Sequence, residues 1–136
     1  MDSAADAVYF NTPGVASVRW DEDGQLVLVE WQGWANSSEF TALLDAEIQA
    51  LTKHHGSRVL ADCRRQRVLN PADQDRANRD WVPRALAAGL KKFAVVVPTS
   101  VLAEVNLKHS LDKVPATALD VAYFATPEEA RTWLGR

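Results

Sequence analysis

Hydrophobic positions along the chain switch between two periods, and the switches mark its elements. Val15–Asp21 sets Val15, Ser17 and Arg19 against Ala16, Val18 and Trp20. That period of two is what a strand imposes on its side chains. Asp23-Gly24 follows, a dipeptide suited to joining antiparallel strands. Gln25–Gln32 then alternates Leu26, Leu28 and Glu30 against Val27, Val29 and Trp31. Most of both its faces is apolar, so it is expected deeper in the sheet than the first strand. At Phe40 the period changes. Phe40, Leu43, Leu44, Ile48 and Leu51 recur at helical spacing up to Gly56, behind a capping pair made by Asn36 and Glu39. Val59–Cys63 is a third strand. Asn70 and Pro71 open a second helix as N-cap and first helical residue, with Asp73 and Asp75 near its positive end. Pro83 is expected to kink or split this helix after Trp81-Val82, because it lacks an N–H and crowds the preceding turn. Gly89 ends it.

The strongest single stretch is Lys91–Ser100, KKFAVVVPTS. Its apolar run from Phe93 to Val97 does not alternate, which predicts a strand covered on both faces. Pro98 stops that strand, and the Thr99 and Ser100 hydroxyls can cap a third helix from about Thr99 to Val114. Val101, Leu102, Val105 and Leu111 supply its apolar face, and Pro115 ends it. Val121–Phe124 is a last strand. Thr126-Pro127-Glu128-Glu129 starts a short helix pinned by Ala130, Trp133 and Leu134. The order β-β-α-β-α-β-α-β-α predicts an α/β fold. Its sheet is mixed and mostly parallel, of about five strands, with an N-terminal antiparallel hairpin and helices packed on it. Residues 1–14 show no periodicity and read as a loose lead-in to a single domain over residues 15–136.

Four stretches in this order resemble the STAS superfamily, and more narrowly its small SpoIIAA-like bacterial members, grouped as STAS/SEC14 domains. They are the opening hairpin; Val59–Cys63 with the polar loop after it; Trp81-Val82-Pro83-Arg84-Ala85 leading through Gly89 into Phe93–Pro98; and Val121–Phe124 followed by Glu128-Glu129-Ala130 and Trp133-Leu134. The resemblance spans about residues 15–135. It implies helices packed on a four- or five-stranded sheet and a domain that works by binding a partner, without catalysis. One branch of relatives is switched by phosphorylation of a serine after the strand corresponding to Val59–Cys63. Here Asp62–Arg67 holds no Ser or Thr before Asn70, so that switch is not expected. The SEC14-like side of the family implies an apolar, lipid-like ligand.

Composition narrows the rest. The chain has 136 residues, 47% of them hydrophobic and 24% charged, with a net charge of −3, which suits a globular domain and leaves no footprint for nucleic acid. No apolar run approaches the roughly 20 residues of a membrane span. The opening MDSAADAVYF lacks a basic stretch followed by an apolar core, so a cytoplasmic protein is expected. The one cysteine, Cys63, allows no internal disulfide and no multi-cysteine metal site. His54 and His55 fall in the last turn of the first helix with no further ligands nearby in sequence, so no metal or cofactor is expected.

Ligands of open α/β sheets sit beyond the carboxyl ends of the strands. By this reading Trp31–Asn36, Asp62–Asn70 and Pro98–Ser100 converge there. Arg64, Arg65 and Arg67 bring three cations beside two helix N-termini, an arrangement suited to a small anion or an acidic partner segment. The expected binding residues are Asp62, Arg64, Arg65, Arg67, Asn70, Thr99 and Ser100. Trp31, Trp34 and Trp81 are candidates for an apolar surface, which would serve a ligand or a homodimer, with core packing as their plainer role. Cys63 stands beside Arg64, and cations favour the reactive thiolate. No histidine is tied to Cys63 by pattern, so a buried structural cysteine is the plainer reading, as is loop-amide binding for Asp62. Ser100 has no Gly-x-Ser-x-Gly surround, and no glycine-rich phosphate loop is present. The sequence thus predicts a non-enzymatic binding domain for a protein partner or a small anionic or amphipathic ligand near the loop after Val59–Cys63. The alternatives are a small enzyme using Cys63 or Asp62, or a self-associating module.

Overall fold

The strands lie side by side in the same order as they occur in the chain. The computed structural model describes residues 7–115 and 118–135. The elements are β1 (Val8–Thr12), β2 (Ala16–Asp21), β3 (Leu26–Trp31), α1 (Ser37–His54), β4 (Arg58–Asp62), α2 (Pro71–Ala87), β5 (Lys92–Val96), α3 (Val101–Leu111), β6 (Asp120–Phe124) and α4 (Pro127–Leu134). β1, β2 and β3 pair antiparallel, and β3 to β6 pair parallel. The predicted α/β architecture, with a hairpin leading into a parallel sheet, is therefore present with one strand more than expected.

The extra strand corrects the reading of residues 1–14 as a loose lead-in. β1 occupies part of that segment and is an edge strand, paired only with β2 and irregular between Val8 and Phe10. With one neighbour and an outer side facing solvent, it needs no clean alternation. The lead-in residues 1–6 lie outside the described residues. The Asp23-Gly24 hairpin forms, but its loop is wider than a two-residue turn: Asp21 pairs with Leu26, and Gln25 takes the left-handed conformation at φ 53°. α2 runs unbroken through Pro83. Pro83 and Arg79, whose carbonyl loses its helical partner, are both exposed, so water can satisfy the freed oxygen.

The helix ends follow the sequence closely. Asn36 and Glu39 form the full reciprocal capping box of α1. Asn70, Ser100 and Thr126 each cap the helix that follows. Gly89 ends α2 with φ +114°, a conformation that strains any side chain.

The pleat sorts the strand residues onto two faces. Val27, Val29 and Trp31 of β3, Val59 and Ala61 of β4, and Val95 of β5 meet α1, α2 and α3. Leu26, Leu28, Leu60, Ala94 and Val96 meet α4 through Ala130 and Leu134. The unbroken run in β5 is thus buried on both sides, as its lack of alternation predicts. α3 departs from expectation. Val101, Leu102 and Val105 are exposed, while Ala103 and Ser110 are its buried residues and Leu107 and Leu111 pack against the core.

Candidate functional site

The carboxyl ends of β3, β4 and β5 do bring the predicted residues to one end of the sheet, and most of their polar groups are already engaged there. Arg64 closes back on Asp62, with Nε and Nη2 donating to its carboxylate at 3.0 and 2.7 Å. This pairing holds the Arg64 guanidinium above its ordinary pKa. The Thr99 backbone N–H and hydroxyl both donate to the Arg64 carbonyl, each at 3.1 Å. Asn70 Oδ1 accepts from the Ala72 N–H at 2.8 Å, and Ser100 Oγ from the Ala103 N–H at 3.3 Å. Arg65 and Arg67 are exposed, and neither forms an ion pair with a described residue. The open depression along Arg64 and Arg65 also carries the Glu30 and Asp62 carboxylates, so its charge is mixed rather than basic.

The tryptophans divide. Trp31 and Trp81 are buried, which corrects their place in an apolar surface. Trp31 packs near the Phe40 ring, and Trp81 Nε1 donates to the Leu44 carbonyl at 2.8 Å. That bond explains how an indole enters the core without leaving its donor unpaired. Trp34 remains on the surface, 50% exposed. It shares an open depression with Arg67, Val68 and Leu102.

Cys63 is buried, and burial drives its thiol far above the usual range, with the Asp62 and Glu47 carboxylates adding to the effect. A thiol held neutral in this way is a poor nucleophile. His54 is engaged as well: it stacks on Trp20 with centroids 4.5 Å apart, and its Nε2 lies 2.8 Å from the Tyr9 hydroxyl. Among the described residues, no group of His, Cys, Asp and Glu is arranged to hold a metal ion.

A second feature lies directly beneath the Asp62–Asn70 loop. A partly enclosed pocket of about 90 Å³ separates the sheet from α1, α2 and α3. Val29, Trp31, Ala61, Cys63, Phe93 and Val95 form its floor. Phe40, Leu43 and Leu44 of α1 and Leu107 and Leu111 of α3 line it from above, and Trp81 closes it from α2. Four buried polar side chains also reach this wall: Glu47, Gln66, Gln74 and Ser110. Two have partners across the helices. Gln74 Nε2 donates to Asn106 Oδ1 at 2.7 Å, and Asn78 Nδ2 donates to the Ser110 carbonyl and hydroxyl at 2.7 and 3.1 Å. Glu47 differs. Its residue is 4% exposed, and among the described residues none donates to its Oε1. Burial pushes its carboxyl from 4.5 up to about 8.

The sequence signal for Glu47 was there to be used. It stands four residues after Leu43 and four before Leu51, on the apolar stripe of α1 rather than on its solvent side. A carboxylate on a core-facing stripe marks a buried acid. Gln66, between exposed Arg65 and Arg67, gave no such sign, because its burial depends on how the loop folds back over the pocket.

A family model described as SpoIIAA-like matches residues 26–135. No curated protein and no solved structure matches the chain. No described helix is long and apolar enough to cross a membrane.

Proposed function

The chain belongs to the SpoIIAA-like family, and from that premise we propose that it is a non-enzymatic binding domain whose ligand is a small amphipathic molecule held between the sheet and α1–α3. One observation carries this reading: the pocket beneath the Asp62–Asn70 loop combines aromatic and aliphatic walls with a few buried polar groups, the usual make-up of a small-molecule site. The loop residues named from the sequence then form the rim. Cys63, Gln66 and Leu69 reach down into the pocket, while Asp62, Arg64 and Thr99 brace the loop above it. The resting volume of 90 Å³ is below the roughly 150 Å³ of an engineered apolar cavity that takes up benzene. A benzene-sized ligand therefore requires the helices to give way slightly. Against catalysis stand the suppressed thiol of Cys63 and the closed Asp62–Arg64 pair.

Toluene and benzyl alcohol are suitable probes. Titrated into the labelled protein, they are expected to shift the amide signals of residues lining the pocket, and Ala77→Phe, which fills it from α2, is expected to remove the response. Spectra unchanged by both probes would eliminate the reading.

A second reading is favoured by the exposed apolar cluster of Trp34, Val68 and Leu102 with Arg67 at its edge. Exposed apolar groups gathered in one place mark contact surfaces. The cationic rim suits a protein segment with apolar residues flanked by carboxylates. Leu102→Glu with Arg67→Glu should abolish cross-links between this face and such a partner. Cross-links persisting at the same positions would count against it.

A further inference from the structure

Glu47 has a position that core packing does not account for. It occupies a turn of α1 between residues that bury apolar side chains, and it lines the pocket instead of reaching solvent. A buried acid is normally tied to a cation or to several N–H groups, because a carboxyl without partners gives up its hydration for nothing. Here the Oε1 has no donor among the described residues. Burial is the one cause behind its altered acidity, and no cation contributes. Two of the other buried polar side chains around the pocket are engaged, Gln74 by Asn106 and Ser110 by Asn78, while Gln66 reaches the same lining from the loop. Glu47 therefore offers an open hydrogen-bonding atom inside a largely apolar enclosure, and it is the acid there that lacks a donor.

We propose that Glu47 is the polar anchor of this pocket and that its ligand class is the uncharged amphiphile: an apolar body against Trp31, Leu43, Trp81 and Phe93, with one neutral head group, an alcohol, ketone or amide, bonded to the Glu47 carboxyl. This rests on the pocket being a binding site, as proposed above, and adds what that site selects. The protonated carboxyl both donates and accepts, so it matches a hydroxyl or a carbonyl equally well. An anionic head group would meet no cation inside the pocket. A cationic one would have to shed its hydration and ionise Glu47 in apolar surroundings, a costly exchange for both charges. Glu47 and Cys63 are the titratable groups lining the pocket, and the thiol stays neutral over any working pH. α2 and α3 contribute the uncharged Gln74, Asn78 and Ser110.

The test compares toluene, benzyl alcohol, acetophenone and benzylamine on the wild-type chain, Glu47→Gln and Glu47→Leu. Benzyl alcohol should bind wild type and Glu47→Gln within about threefold of one another and weaken about tenfold on Glu47→Leu, the scale of one lost buried hydrogen bond. Toluene should bind Glu47→Leu at least as tightly as wild type. Acetophenone, whose carbonyl can only accept, should weaken on wild type as pH rises past about 8, where the carboxyl loses the proton it donates, and should not do so on Glu47→Gln. Equal losses of toluene and alcohol on Glu47→Leu would reduce the residue to packing and overturn the inference. So would tighter binding of benzylamine than of benzyl alcohol, or a flat pH profile for acetophenone on wild type. If neither toluene nor benzyl alcohol binds the wild type, the pocket reading itself has failed. If toluene binds while the alcohol ignores Glu47, only the anchor has failed.

Discussion

The two faces of the sheet solve the same packing problem in opposite ways. On one, α4 closes over Leu26, Leu28, Leu60, Ala94 and Val96 with Ala130 and Leu134, and every buried member is apolar. It is held from outside: Arg131 pairs with Asp21 at 2.7 Å, and Arg58 Nη1 donates to the Leu134 carbonyl at 2.8 Å. On the other, three helices cover the sheet, and every buried polar or charged side chain among the described residues is found there or beside it. Asp73 among these is satisfied at the α1–α2 junction by the Ser37 hydroxyl and by Arg76. The rest surround the pocket. A short helix suffices where the aim is to exclude water. The larger cover tolerates polar groups that a purely structural core would avoid, and this difference supports the site proposed on the α1–α3 side.

The contrast is sharpest at Glu47, and the largest expected effect lies there. Between its ordinary value of 4.5 and about 8, the folded chain keeps a proton that the unfolded chain has lost. Stability therefore falls as pH rises through that window and levels off above it, by an amount of order 5 kcal/mol. Glu47→Gln should flatten this slope and be more stable than wild type at pH 9. Denaturation midpoints at pH 5 and pH 9 measure it, and parallel slopes for the two chains would mean that the carboxyl is not buried as described.

Paired truncations test the faces next. Leu60→Ala on the closed side and Leu43→Ala on the pocket side each remove a fully buried leucine, at an expected cost of about 2–5 kcal/mol. The value for Leu60 should fall in the upper half of that range, because α4 has no slack against it. Added toluene should recover stability for Leu43→Ala and leave Leu60→Ala unchanged. Recovery in both would erase the distinction.

The smallest effects concern the rim. Asn70→Ala removes the cap of α2 and should cost about 1 kcal/mol. Arg65→Ala and Arg67→Ala should stay within about 0.5 kcal/mol, as exposed side chains with no ion-pair partner among the described residues do. Added phosphate should stabilise none of these chains more than the others. A phosphate-dependent gain lost on Arg65→Ala would restore the loop as an anion site.

Much of the architecture was legible because local chemistry dictates it. The Phe93–Val97 run could only be a covered strand, and the Asn36/Glu39 and Thr126–Glu129 signals fixed two helix starts to the residue. β1 was not legible, since an edge strand needs little apolar pattern. Nor was the outward turn of Val101, Leu102 and Val105, because α3 has apolar residues on two sides and only packing selects between them. That the loop residues gather at the carboxyl end of the sheet was legible from the strand order. Their engagement with one another was invisible, because hydrogen bonds such as Thr99 to Arg64 join distant parts of the chain. Trp31 and Trp81 show the same limit: an indole reads alike whether it will line a core or a surface.

The coincidence of strand order with chain order has a consequence for synthesis. Every strand after the first finds its neighbour already emerged, and no gap in the sheet waits for a later segment to fill it. Such a chain can assemble progressively while it leaves the ribosome, with β4, β5 and β6 each added to a growing edge. α4 follows β6 and seals Leu60 and Val96, so the closed face is completed only after all six strands have emerged. Until then the nascent domain carries its pocket-side core with the opposite face bare, and that interval is when a chaperone has most to hold.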